Sequence, residues 1–131
     1  MRRQGRPPRV LIVEDEFLIA LNLQQMLEDV GIEDVDCAQD LETAAQLIRV
    51  SPPDFAILDI NIGHALVFPV AAELHKRAVP FVFSSGRNWS DLPEQFSRHQ
   101  LVPKPLEPEA LTSILSSVGL DGGAVAQQNA D

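Results

Sequence analysis

Six residues in this chain are of types that could handle a phosphorylated or metal-bound anion: Glu14, Asp15, Asp59, Asn61, Ser85 and Lys104. Glu14 and Asp15 close the apolar run Val10 to Val13, and Asp59 closes Phe55 to Leu58. Ser85 stands just past Phe81 to Phe83, and Lys104 just past Leu101 to Val102. Three carboxylates brought together repel one another, so protonation, a cation or Lys104 must compensate them. A hard divalent cation suits the set, because magnesium takes one or two carboxylates, a carbonyl and retained water, usually with phosphate oxygens. Asp15 and Asp59 are the expected direct ligands of Mg2+, with manganese as a substitute. The Asn61 backbone carbonyl is a third ligand, and Glu14 acts through water. Such an ion would also make Asp59 a feasible nucleophile toward an activated phosphoryl donor, by shielding one anion from the other. Transfer then needs mainly positioning and charge neutralisation. Lys104 would neutralise one phosphoryl oxygen and the Ser85 hydroxyl would hydrogen-bond another.

Each residue alone has a plainer reading. Acids that end a strand often cap the next helix, which would account for Glu14 and Asp15. A single Asp after an apolar strand is ordinarily a turn residue, and Ser85 before Gly86 is ordinary turn chemistry. Lys104, between Pro103 and Pro105, could simply be solvated. What favours chemistry is the joint occurrence, in this order, at the ends of successive apolar runs.

Those runs are short and unbroken rather than alternating, which suits strands covered on both faces. Helical patterns lie between them. Ala20, Leu23, Leu27 and Val30 keep the helical spacing and Gly31 follows as a stop. Leu41, Ala44, Ala45 and Ile48 repeat the spacing behind an expected Asp40 cap, and Pro52-Pro53 prevents continuation. Val67, Val70, Ala71 and Leu74 mark a third helix. Leu111, Ile114, Leu115 and Val118 mark another, opened by Pro108 and closed by Gly119. Asp34 to Ala38 is a weaker strand, expected at a sheet edge because it carries two aspartates. The alternation predicts an α/β fold, a parallel sheet with helices on both faces. In such sheets ligands bind beyond the carboxyl ends of the strands, where the winding reverses, and all the polar candidates fall on that edge. Residues 86–100 fit least well: Trp89, Leu92 and Phe96 give no sustained stripe, so the fourth helix is expected to be short or irregular.

The length of 131 residues fits one domain. The expected division is a basic disordered leader over residues 1–8, a folded unit over 9–119 and a disordered tail over 120–131. No run approaches eighteen apolar residues, and no apolar signal core follows the first arginines, so a cytoplasmic location is expected. The one cysteine, Cys37, excludes an internal disulfide and is read as a small buried hydrophobe. Three histidines without a CxxC leave no zinc cluster. The formal net charge is −9, yet Arg2, Arg3, Arg6 and Arg9 precede every acid, leaving six bases against nineteen acids, a formal −13. Such a surface repels nucleic acid and suits a protein partner or a cation.

With VLIVEDE, ILDIN, FVFSSG and VPKP in place, residues 9–119 resemble a response-regulator receiver domain of two-component signalling. The resemblance implies a doubly wound, flavodoxin-like five-stranded parallel sheet in the strand order 2-1-3-4-5. It implies Glu14 and Asp15 as the acidic pair, Asp59 as phosphoacceptor, Ser85 as hydroxyl switch residue and Lys104 as the partner lysine. It further implies magnesium as cofactor and a sensor histidine kinase or histidine phosphotransfer protein as donor. A self-phosphorylating signalling domain follows, with scope for autodephosphorylation, rather than a turnover enzyme. As a stand-alone unit, monomeric or weakly dimeric, it would act through an unknown downstream protein or as a phosphate sink or relay intermediate.

Three departures from the receiver pattern bear on the readout. Leu101 stands where receivers often carry the aromatic coupled to the hydroxyl residue. PFVFSSGR resembles a subgroup with a Phe-x-Phe-Ala-Thr-Gly-Tyr signature, with Ser85 in the threonine place and Arg87 in the tyrosine place. Gly63 stands where many receivers have proline, so the 61–66 loop is expected to be freer than usual. Phosphorylation is therefore expected to reorganise that loop and residues 86–100 by an order-disorder change. His64 could shield the phosphoryl group or be a plain loop residue. Trp89 and Phe96 could anchor a partner or cover the sheet edge.

Three rival classes remain. A haloacid-dehalogenase-type phosphohydrolase would need a second Asp two residues after the nucleophile, and that residue is Asn61, which cannot transfer protons. A flavin-binding domain would need a Ser/Thr-rich phosphate loop where Glu14-Asp15-Glu16 stands. A pseudo-receiver that is never phosphorylated, acting as an interaction module, would have no need of a full set of chemical positions.

Overall fold

A computed structural model describes residues 6–86, 92–96 and 101–120 of the chain. Its elements run β1 (Arg9–Val13), α1 (Phe17–Asp29), β2 (Asp34–Ala38), α2 (Leu41–Val50), β3 (Phe55–Asp59), β4 (Asn61–Ile62), β5 (Ala65–Leu66), α3 (Phe68–Lys76), β6 (Phe81–Ser85), β7 (Leu101–Pro103) and α4 (Pro108–Ser117). Five strands form one parallel sheet in the order β2-β1-β3-β6-β7. This is the doubly wound 2-1-3-4-5 order, with the two strands of an inserted hairpin numbered between β3 and β6. Winding reverses between β1 and β3, which fixes the ligand-side crevice at their carboxyl ends.

Every residue of β3 and β6 is buried, as are Val10 through Val13 of β1. Alternate side chains serve opposite faces. Val10, Ile12, Phe55, Ile57 and Val82 pack against Leu23 and Leu27 of α1 and Leu111 and Leu115 of α4. Leu11, Val13, Ala56, Leu58 and Phe83 pack against Ile48 of α2 and Val70 and Leu74 of α3. Each buried Leu, Ile or Phe contributes about 1.5–3 kcal/mol relative to exposure, so unbroken apolar strands are stable only between two helical layers. The weaker strand β2 does lie at a sheet edge.

Helix boundaries follow local chemistry. The Asp40 side chain accepts the Thr43 N–H at 2.7 Å, the cap anticipated for α2. α1 and α4 end in left-handed glycines, Gly31 and Gly119, with the paired reverse bonds Ile32 N–H to Leu27 O and Leu120 N–H to Leu115 O. α3 ends the same way, through Val79 N–H to Leu74 O, but its left-handed residue is Ala78 (φ 59°).

Two expectations are corrected, for Cys37 and for residues 61–66. Cys37 is exposed, because on an edge strand it faces outward, 3.9 Å from the Gln24 side-chain oxygen. Of the two readings left open for Phe96, its 1% exposure favours cover over the sheet and not a partner anchor. It ends a single 3-10 turn, Glu94–Phe96, and stacks on Phe68 with Phe81 and Phe83 at ring edges, 5.7–6.0 Å between centroids. Residues 61–66 are not an open loop but the hairpin β4–β5, turning through Gly63 (φ 63°) and His64. A positive φ at the first turn position alone is the pattern of a type II′ turn. Two-residue strands carry no periodic signal, so only the turn glycine was visible in the sequence. Trp89 and Arg87 lie outside the described residues, as do most of the expected leader and tail.

Candidate functional site

Glu14 leaves β1 with its N–H donated to Ala38 O, which carries the chain one step past the strand end and turns the side chain into the crevice. There the carboxylate is 2% exposed; Oε1 meets Lys104 Nζ at 2.8 Å and Oε2 accepts the Glu16 N–H at 3.1 Å. Burial pushes the Glu14 pKa above its ordinary value; the nearby Asp59 charge adds to this, while the bonds from Lys104 and the Glu16 N–H oppose it. Asp59, the last residue of β3, is also buried. Its Oδ2 accepts from Lys104 Nζ at 3.0 Å and its Oδ1 from the Asn61 N–H at 3.3 Å.

Lys104 arrives from the far edge, just beyond β7, with its N–H held by Ser85 O at 3.1 Å. Burial alone would lower its pKa; the hydrogen bonds and charges of Glu14 and Asp59 outweigh that and raise it, keeping the ammonium charged. Asp15 is exposed and its Oδ2 accepts the Gly63 N–H at 2.7 Å. Ser85 is buried at the end of β6, one residue beyond Ser84, which stands opposite Asp59 in the register.

Glu14, Asp15 and Asp59 each present one carboxylate oxygen, all within 4.8 Å of one another. Three carboxylates face one ammonium, which among the described residues pairs with Glu14 and Asp59 and not with Asp15. The donors are hard oxygens on two strand ends, and the set retains excess negative charge, so it fits a hard divalent cation and not a soft metal. Asn61 lies in β4, directly after Asp59 and Ile60.

The family model for the response regulator receiver domain matches residues 10–116, spanning the sheet and nearly all of the last helix. The chain belongs to that family. Its flavodoxin-like receiver fold and its acidic cluster are those of a two-component response regulator, a signalling domain. A curated relative, the transcriptional regulatory protein PdtaR of Mycobacterium tuberculosis, is 30% identical over 115 residues. That match covers 87% of this chain and 56% of PdtaR, so the chain spans little more than half the length of that relative. Among solved structures, SdrG of Sphingomonas melonis Fr1 is 31% identical with a TM-score of 0.74, covering 86% of this receiver and 96% of that chain. The response regulator PhyR of Brucella abortus is 28% identical with a TM-score of 0.69, covering 95% of this receiver and 52% of that chain.

Several features near the receiver site carry weak or no sequence signal. The Glu16 and Gly63 amides are backbone donors, which every non-proline residue offers. Phe17 and Leu18 are 64% and 74% exposed at the start of α1, beside the crevice. Next to them is a cavity of about 340 Å3 lined by Leu18, Leu23, Ser84, Lys104 and Leu106. An apolar residue before a helix stripe is the one hint the sequence offers, and it does not distinguish an exposed position from a core one. Among the described residues, no helix is long and apolar enough to cross a membrane.

Proposed function

We propose that this receiver accepts a phosphoryl group onto Asp59 from a phosphohistidine on a kinase or phosphotransfer protein, and that the modified site alters binding of a downstream protein. The observation that carries the proposal is Lys104 Nζ at 3.0 Å from Asp59 Oδ2, with Glu14 and Asp15 closing the same pocket.

In the reaction an Asp59 carboxylate oxygen forms the new O–P bond as the P–N bond of the donor breaks. The imidazole nitrogen leaves with the electron pair and the product is an aspartyl phosphate. A bound Mg2+, or Mn2+ in its place, would offset the charge of the acids and of the incoming phosphoryl oxygens. Asp15 and Asp59 would hold it directly, with the Asn61 carbonyl and, through water, Glu14. Lys104 moves little: already fixed between two carboxylates, it would keep one phosphoryl oxygen neutralised throughout. Ser85 would turn its hydroxyl to another oxygen of the product. The exposed Phe17 and Leu18 beside the crevice offer apolar area for the donor protein.

The Phe68, Phe83 and Phe96 cluster supports a readout that does not need an aromatic at Leu101. Phe83 is two residues before Ser85, and Phe68 follows the hairpin that begins beside Asp59. The unit doing this work is residues 9–119, acting in the cytoplasm where kinases of this kind deliver phosphoryl groups.

Incubation with acetyl phosphate and Mg2+, followed by intact mass measurement, tests the central step. A phosphate-sized gain that Asp59→Asn abolishes is the expected result. No gain in the wild type would overturn the proposal and leave an interaction module that is not phosphorylated.

A further inference from the structure

The two acids that would hold a divalent cation directly are each met by a backbone amide of the hairpin's first arm, Asn61 in β4 and Gly63 at the turn. Asn61 N–H donates to Asp59 Oδ1 at 3.3 Å and Gly63 N–H donates to Asp15 Oδ2 at 2.7 Å. In the hairpin, Ile62 pairs with Ala65 and Asn61 with Leu66, while Val67 N–H closes the base onto Ile60 O at 2.9 Å. The amides of Asn61 and Gly63 are thus turned from the partner strand toward the acids. We infer that the first arm of the hairpin, strand residue Asn61 and turn residue Gly63, is a two-point amide clamp that positions the Asp59 and Asp15 carboxylates for a divalent cation, with Gly63 as the positioning residue. The inference rests on reading the acidic cluster as a cation site.

Charge explains why Asp15 needs the clamp most. Lys104 bridges Glu14 and Asp59, whereas among the described residues the Asp15 carboxylate has no cation partner. It is exposed, and among the described residues its hydrogen-bond donor is the Gly63 N–H. A carboxylate has two oxygens: Oδ2 is engaged by the amide, and Oδ1 remains for the ion. Holding the first in place removes rotamer freedom that ion binding would otherwise have to remove. The turn residue is suited to the task. Its φ of 63° is one that glycine adopts freely and L side chains only with strain, and a Cβ added there would meet nothing within 4 Å. Proline at this position could supply neither the donor nor the angle.

The test compares Gly63→Ala, which keeps the donor and has room for its Cβ but strains the left-handed backbone, with Gly63→Pro, which deletes the donor. Mg2+ dissociation constants are read by titration of amide resonances and melting temperatures are read in parallel. Loss of an outer partner of a metal ligand weakens affinity about 10–100-fold, and an exposed donor belongs at the low end. Gly63→Pro should therefore bind Mg2+ about tenfold more weakly, while Gly63→Ala stays within about threefold of the wild type. Amide exchange of the unsubstituted protein needs no variant. The Gly63 amide should exchange more slowly than that of His64 without metal, and more slowly still with Mg2+. Equal Mg2+ affinity in wild type and Gly63→Pro, or a Gly63 amide that exchanges freely and ignores Mg2+, would sink the clamp. Either result leaves phosphorylation of Asp59, read separately by mass, standing or falling by itself.

Discussion

Lys104 is the residue on which the metal-free site depends. Its ammonium lies 2.8 Å from Glu14 and 3.0 Å from Asp59, with only 16% of its own side chain exposed. Removing one partner of a buried ion pair leaves an uncompensated charge, which costs about 3–5 kcal/mol, and here two carboxylates would be left together. Lys104→Met should lower unfolding stability without metal by about 3 kcal/mol, and saturating Mg2+ should recover part of that loss. Denaturant melts of both proteins with and without Mg2+ check this; equal stability of variant and wild type would mean that water already compensates the acids. The convergence of Glu14, Asp15, Asp59 and Lys104 was legible because each follows a strand-length apolar run, and a parallel sheet brings such ends to one edge. The Gly63 donor was not legible. A backbone N–H has no residue type, and only the fold shows where it is aimed.

Among the elements, helix ends offer the sharpest tests. α3 closes on Ala78 at φ 59°, where α1 and α4 use glycine. A left-handed alanine costs about 1–2 kcal/mol, against roughly 0.5–1 kcal/mol of extra backbone entropy for glycine in the unfolded chain. Ala78→Gly should therefore be stabilising by about 0.5–1 kcal/mol and raise the melting temperature by a few degrees. A lower melting temperature would show that Ala78 is not strained. Asp40, which caps α2, carries a pH signature. The Thr43 N–H bond lowers its pKa below the ordinary 3.8. A depressed folded-state pKa gives stability that is present above the unfolded value and lost as pH falls through the folded one. The melting-temperature gap between wild type and Asp40→Ala should be full above about pH 5 and shrink below pH 3.8; a gap independent of pH would remove the charge from the account. The cap, the two glycine helix ends and the edge strand all sit where sequence chemistry puts them, whereas the left-handed end at Ala78 carries no such signal. The hairpin and the outward turn of Cys37 do not, and the sequence left two readings of Phe96 open. Which way Phe96 and Cys37 face depends on neighbours distant in sequence, such as Phe68 packing on Phe96, and the hairpin strands are too short to show a pattern.

For the whole molecule the governing quantity is charge. A formal net charge of −9 destabilises the compact state by self-repulsion, and the three clustered carboxylates concentrate that repulsion at one strand edge. Two different remedies can be separated. Monovalent salt screens the entire surface, with a Debye length that falls from about 30 Å at 0.01 M to about 10 Å at 0.1 M. Its effect should therefore be a gradual rise in melting temperature that is alike for sodium and potassium and survives Asp59→Asn. Magnesium adds site binding on top of screening. Binding to the folded state alone stabilises by RT ln(1 + [L]/Kd), about 1.4 kcal/mol at ten times Kd. For a domain of this size that is a rise of about 5 °C. At constant ionic strength set by sodium chloride, Mg2+ should raise the wild-type melting temperature by this amount, and should fail to do so in Asp59→Asn, where a ligand charge is lost. If sodium at matched ionic strength does as well as magnesium, the acids are only a solvated face. A magnesium rise retained by Asp59→Asn would place the ion elsewhere on the acidic surface, and phosphoryl transfer would then need another source of charge compensation at Asp59.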